Sequence, residues 1–165
     1  MITLEQLLQS RDERAALQQS FLREYPDGTL LCLTVQLPGP EKRNELSLVI
    51  ADAAVKAVRE LFPARIAEEL RDLETGFEGY FVVQLEPLDA KHAVCGIEDQ
   101  HPLGRLMDID VVTEEGPLSR AAIGLPERKC LLCDRPAREC MRARRHTLDE
   151  LLRAIEDIVL RQQNQ

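Results

Sequence analysis

"HPLGRLMDIDVV", residues 101–112, sets two aspartates, Asp108 and Asp110, into a run that is otherwise Leu, Met, Ile and Val. The apolar and β-branched content makes 105–113 a strand. Strand side chains alternate, so Asp108 and Asp110 share one face while Met107, Ile109 and Val111 take the other. The two carboxylates then stand roughly 6–7 Å apart at Cα, close enough to aim at one cation or a pair. Mg²⁺ takes one or two carboxylates together with substrate phosphates, an arrangement used in phosphoryl and nucleotidyl transfer. A half-exposed strand with a wet outer face would read the same way, and D-x-D alone does not separate the two. The lead-in leans toward chemistry: Gly104 admits a close backbone approach, and Arg105 offers a planar fork to a phosphate. Neither G-x-x-x-x-G-K-[ST] nor G-x-G-x-x-G occurs in the chain.

Other elements fall on either side. Thr3-x-x-Gln6 and Ser10-x-x-Glu13 both fit the capping box, predicting a short helix over 4–9 and a longer one over 11–24. Its inward face carries Ala15, Leu17, Phe21 and Leu22. "TLLCLTVQL" (29–37) is a strand stopped by Pro38-Gly39-Pro40. Residues 44–62 have apolar positions at helical spacing. Residues 64–74 read as a charged helix, with Gly76 and Gly79 as breaks. "YFVVQLE" (80–86) is a strand and 89–98 a helix. Glu115-Gly116 is a turn, with "LSRAAI" read as a hairpin partner for 105–113. Thr147-x-x-Glu150 opens a last helix over 148–161, within a C-terminal helical segment 147–162. These elements predict one α+β domain over 1–165, a mixed sheet with flanking helices, and a Cys/Arg-rich segment over 125–146.

Composition narrows the function classes. The 165 residues carry a net charge of −8, no Trp and 4 % aromatics, which disfavours nucleic-acid and anionic-membrane binders. Between Pro126 and His146, however, seven basic residues face three acids, a local +4 against −12 for the rest. Such a patch suits a discrete anionic ligand or an acidic protein. No apolar run approaches about 18 residues, and the N-terminus lacks the pattern of a signal peptide. Five cysteines in such a chain point to reduced thiols and a cytoplasmic location. Cys130-x2-Cys133-x6-Cys140-x5-His146 has the bite of a closed structural Zn²⁺ site; small buried thiols are the alternative. Cys32 and Cys95 read as packing residues.

Taken together, "SRDER" with Gln18 (10–18), "PGPEK" (38–42), "HPLGRLMDIDV" (101–111), "LSR" (118–120) and "LPERKCLLCDRPARECMRARRH" (125–146) resemble the holo-acyl-carrier-protein synthases of citrate lyase, the apo-citrate lyase phosphoribosyl-dephospho-CoA transferases. The resemblance implies a transferase of nucleotidyltransferase-like fold. Such an enzyme moves the phosphoribosyl-dephospho-CoA part of 2′-(5″-triphosphoribosyl)-3′-dephospho-CoA to a serine of the apo acyl-carrier subunit, releasing diphosphate. The related enzyme of malonate decarboxylase performs the same transfer with a paired-aspartate motif, so that carrier is an alternative acceptor. A zinc-stapled adaptor without turnover is a second alternative. On this resemblance Asp108 and Asp110 bind Mg²⁺ and carry catalysis, with one of them assisting deprotonation of the serine. Gly104 and Arg105 position the triphosphate, and Arg11, Arg14, Lys42 and Arg120 are candidate anion contacts. Asp12 and Glu13 are equally explained by helix capping. Glu98 and Glu86 are candidates for a third metal carboxylate.

Overall fold

The computed structural model describes residues 1–165. The chain runs α1 (Leu4–Glu24), β1 (Thr29–Val35), α2 (Glu45–Leu61), β2 (Ala67–Leu73), β3 (Gly76–Val83) and α3 (Pro87–Gln100). After a 3₁₀ turn over Gly104–Leu106 come β4 (Asp108–Thr113), β5 (Gly116–Pro117), a 3₁₀ turn over Arg120–Ile123, α4 (Ala137–Ala143) and α5 (Leu148–Gln163). The five strands form one sheet in the order β2-β3-β1-β4-β5. Every pairing is antiparallel, so the sheet is not mixed as the sequence suggested.

Period-2 alternation divides the sheet into two faces. Leu31, Leu33, Val35, Phe81, Val83, Ile109 and Val111 enter the main core, packed against Ile50, Ala54 and Val58 of α2, Ala90 and Val94 of α3, and Ile155 and Val159 of α5. The other face carries Leu30, Cys32, Tyr80, Val82 and Val112, covered by Phe21 of α1. Phe21 stacks on Tyr80 with ring centroids 5.5 Å apart. Burying both faces explains why β1 and β3 are nearly continuous apolar runs.

Several elements depart from the sequence reading. β4 starts at Asp108 rather than 105, and β3 runs through Gly76 and Gly79 and stops at Val83. Three further differences have clear causes. Residues 67–73 form a strand rather than a charged helix. Gly76, at φ +127°, turns the chain from this strand into β3, and the charges of this edge strand are matched from outside it. Arg59 and Arg65 hold Glu68, and Arg43 grips Asp72 at 2.7 and 2.8 Å. Charged edge strands also resist pairing with other chains. The two N-terminal helices are one, because Ser10 does not cap: its hydroxyl lies 3.0 Å from that of Thr75, and no Gly or Pro interrupts 4–24. The expected hairpin partner of β4 shrinks to Gly116–Pro117, since Ser119 caps the 3₁₀ turn that follows. No helix is long and apolar enough to cross a membrane.

Candidate active site and metal centre

Asp108 and Asp110 lie on the α1-facing side of β4, as the alternation requires. Asp110 stands opposite Cys32, and Asp108 opposite Thr34. Thr34 in turn faces Glu78 of β3. Asp108, at the start of the strand, is exposed, while Asp110 is half-buried. Burial, and then the Asp108 charge, push the Asp110 carboxyl up to about 6; Lys91 of α3 and Arg14 of α1 oppose that rise. A carboxyl poised near neutrality can take up a proton at physiological pH.

The surroundings of the pair come from α1, β3 and α3. Arg14 Nε donates to Glu78 Oε1 at 3.0 Å, and the Tyr80 hydroxyl donates to Glu78 at 2.5 Å. Glu78 is 2 % exposed; burial and this bond hold the Tyr80 hydroxyl well above its ordinary range. Gln18 and Arg14 lie beside Cys32, whose thiol burial pushes up to about 11. Lys91 is 5 % exposed. Lys91 and Glu78 are not among the site residues the sequence suggests. A signal existed for the first: Lys91, Cys95 and Glu98 recur at i, i+4 and i+7, one buried stripe of α3. Glu78, set between two glycines of a strand, offered none.

The lead-in to β4 is fixed by the chain itself. A Cβ on Gly104 would collide with the carbonyl oxygens of Ile97 and Glu98, so close packing against the end of α3 requires glycine there. Glu98 is 3 % exposed. It accepts the Ile109 backbone N–H at 3.0 Å and pairs with Arg120 at 2.9 Å and Arg128 at 3.4 Å. It thereby occupies an outward-facing N–H of β4 that β5 is too short to reach. Arg120 also binds Asp99 at 3.0 and 3.2 Å. Arg128 donates to the carbonyls of Met107, Gly104 and Arg105, and Arg105 donates to that of Lys129. Glu98 and Arg120 are therefore spent on holding β4 and the 3₁₀ turns together. Glu86 is exposed at the N-cap of α3.

The remaining basic candidates separate. Arg14 shares the face of the aspartates. Arg11 is exposed on α1 and, after burial, depresses the Lys42 ammonium; Lys42 donates to Leu37 O at 3.1 Å. Lys42 and Arg105 line a cleft at the end of the sheet, around the corner from Asp108.

The cysteine segment folds as a knuckle. Lys129 and Pro136 form an antiparallel bridge, and Cys130 N–H donates to Arg135 O at 2.7 Å. α4 then returns Cys140 toward Cys133, with the two Sγ atoms 3.4 Å apart. The ligand atoms of Cys130, Cys133, Cys140 and His146 all lie within 4.8 Å of one another. The buried Nε2 of His146 has no hydrogen-bond partner, an orphan that a bound cation would satisfy. Burial raises the Cys130 thiol, but the Leu132 and Cys133 amides and the neighbouring thiols outweigh it and leave it below its ordinary value. Burial and those thiols push Cys140 up to about 11. Three sulfurs and one imidazole fit a metal ion such as zinc and leave no open position.

Comparison with known proteins finds relatives over nearly the whole chain. Residues 2–162 match the family model described as apo-citrate lyase phosphoribosyl-dephospho-CoA transferase. A probable apo-citrate lyase phosphoribosyl-dephospho-CoA transferase of Streptococcus pyogenes serotype M18 is 37 % identical over 164 residues, covering 96 % of this chain and 85 % of that protein. One of the same description from Vibrio cholerae serotype O1 is 38 % identical over 163 residues, covering 95 % and 91 %. The chain belongs to the apo-citrate lyase phosphoribosyl-dephospho-CoA transferase family.

Proposed function

We propose that this protein transfers the phosphoribosyl-dephospho-CoA group of 2′-(5″-triphosphoribosyl)-3′-dephospho-CoA to a serine of the apo acyl-carrier subunit of citrate lyase. The serine Oγ attacks the phosphorus next to the ribose. The bond from that phosphorus to the bridging oxygen breaks, diphosphate leaves and a phosphodiester forms, which makes the reaction a nucleotidyl-type transfer. The observation that carries this reading is the pair Asp108 and Asp110 on one face of β4, at its solvent-open end.

Asp108 and Asp110 would hold Mg²⁺, which when bound neutralises charge on the triphosphate and on the departing diphosphate. One of the two aspartates assists removal of the serine proton. Lys91 and Arg14 place positive charge near Asp110, which favours a phosphate brought to the pair, although Arg14 is also bonded to Glu78. Zinc at Cys130, Cys133, Cys140 and His146 is structural in this scheme, stapling a segment with little core of its own. Five free cysteines suit a reducing cytoplasm.

Mass spectrometry of the apo carrier after incubation with enzyme, Mg²⁺ and the triphosphoribosyl donor tests the reaction. The carrier is expected to gain the mass of the prosthetic group. An unchanged carrier overturns the proposal; exclusive modification of a malonate decarboxylase carrier reassigns the acceptor.

A further inference from the structure

At the end of the sheet where β1 stops and β4 starts, a cleft of about 1030 Å³ opens between Val35–Gly39, the 3₁₀ turn at Arg105, the cysteine knuckle and α5. Its volume is at the upper end for small-molecule sites. Its wall is apolar, from Leu37, Ile50, Leu106, Leu131, Leu151 and Ile155. Its polar lining includes Lys42, Arg105, Arg128, Lys129 and Arg144 and no aspartate or glutamate. In a chain of net charge −8 that exclusion of acids marks an anion site. Four of these cations, Lys42, Arg105, Lys129 and Arg144, are held by no carboxylate. Arg144 adds a second sign: it is the one non-glycine residue at positive φ, at +45°, capping α4. Glycine or asparagine favours that conformation, so the arginine stands there against backbone preference, and it lines the cleft.

We propose that this cleft binds the non-reacting body of the donor, an adenine nucleotide diphosphate with a long amide arm. The apolar wall takes the base and arm, and the cations take the phosphates. Arg105 lines the cleft and lies three residues before Asp108, at most about 10 Å along the chain. A donor seated in the cleft therefore reaches around the end of the sheet to the aspartates on the other face. The cleft also uses Cys130, Cys140 and His146 as wall, so the knuckle shapes it directly. The identity of the ligand rests on the transferase reading; the existence of an anion site does not.

Calorimetric titration of dephospho-CoA into the full-length protein tests it. Wild type is expected to bind, and Arg144→Gly with Lys129→Gln to raise Kd at least tenfold. Arg144→Gly relaxes the backbone, so thermal unfolding should show an intact fold. Unchanged affinity in the folded double variant overturns the proposal, as does failure of dephospho-CoA to bind an enzyme that still modifies the carrier. Loss of apo-carrier binding with dephospho-CoA affinity intact also overturns it, and makes the cleft a protein-docking groove. Binding that depends on Arg144 and Lys129 in a protein without transfer activity upholds the cleft while removing the transferase reading.

Discussion

Replacing Asp110 with Asn should make the metal-free protein more stable while abolishing its chemistry. Asp110 is half-buried beside Asp108, and its carboxyl titrates at about 6 against an ordinary 3.8. That displacement corresponds to roughly 3 kcal/mol, at about 1.4 kcal/mol per tenfold in acidity. Solvent at the rim of the strand reduces it to about 1–2 kcal/mol. The folded carboxyl binds its proton more tightly than the unfolded one, so folding is favoured at low pH and loses that advantage as pH rises. The penalty is absent below about pH 4, grows between pH 4 and 6, and is complete above. Urea unfolding of wild type and Asp110→Asn in EDTA, at pH 4.5 and pH 8, reads it directly. The variant should gain about 1–2 kcal/mol at pH 8 and less at pH 4.5. A variant less stable than wild type at pH 8, or a difference that does not change with pH, would show that the Asp110 carboxylate carries no burial penalty.

Further consequences concern the neighbours. Glu98→Ala leaves Arg120, Arg128 and the Ile109 N–H without their buried partner, and should cost about 3–5 kcal/mol in urea unfolding; a cost below about 1 kcal/mol would show that Glu98 does not hold β4. Lys91→Ala removes a charge that favours ionised Asp110, so the acidic limb of the pH–rate profile should move to higher pH, with Lys91→Arg restoring it; coincident profiles would remove Lys91 from the site. The purified protein should contain one equivalent of zinc, lost in Cys133→Ser together with hydrogen-exchange protection over residues 128–146; a metal-free wild type with a protected knuckle would show that packing alone holds the cysteines.

Patterns confined to one element were legible in the sequence, and patterns completed across elements were not. β1, β3 and β4 declare themselves through apolar and β-branched runs, and the shared face of Asp108 and Asp110 follows from alternation alone. The cysteine spacing foretold four ligand atoms converging within 4.8 Å. β2 reads as a helix because its glutamates, its leucines and Arg71 have good helix propensity, while the partners that favour it as a strand, Arg59 and Arg43, lie on other elements. Ser10 looked like a cap because its partner, Thr75, is 65 residues away. Gly104 and Arg120 resemble ligand contacts in the sequence. Their surroundings give each an intramolecular reason, the carbonyls at the end of α3 for Gly104 and the Glu98–Asp99 carboxylates for Arg120. Lys91 escaped notice because a lone lysine in a helix is normally solvated, and only the packing of α3 along β4 buries it.

In the proposed reaction Asp108 and Asp110 carry the transfer. Asp108→Asn and Asp110→Asn, each with wild-type thermal stability or better, should add no prosthetic-group mass to the apo carrier under conditions in which wild type modifies it fully. Undiminished modification by either folded variant would show that the pair does not carry the chemistry.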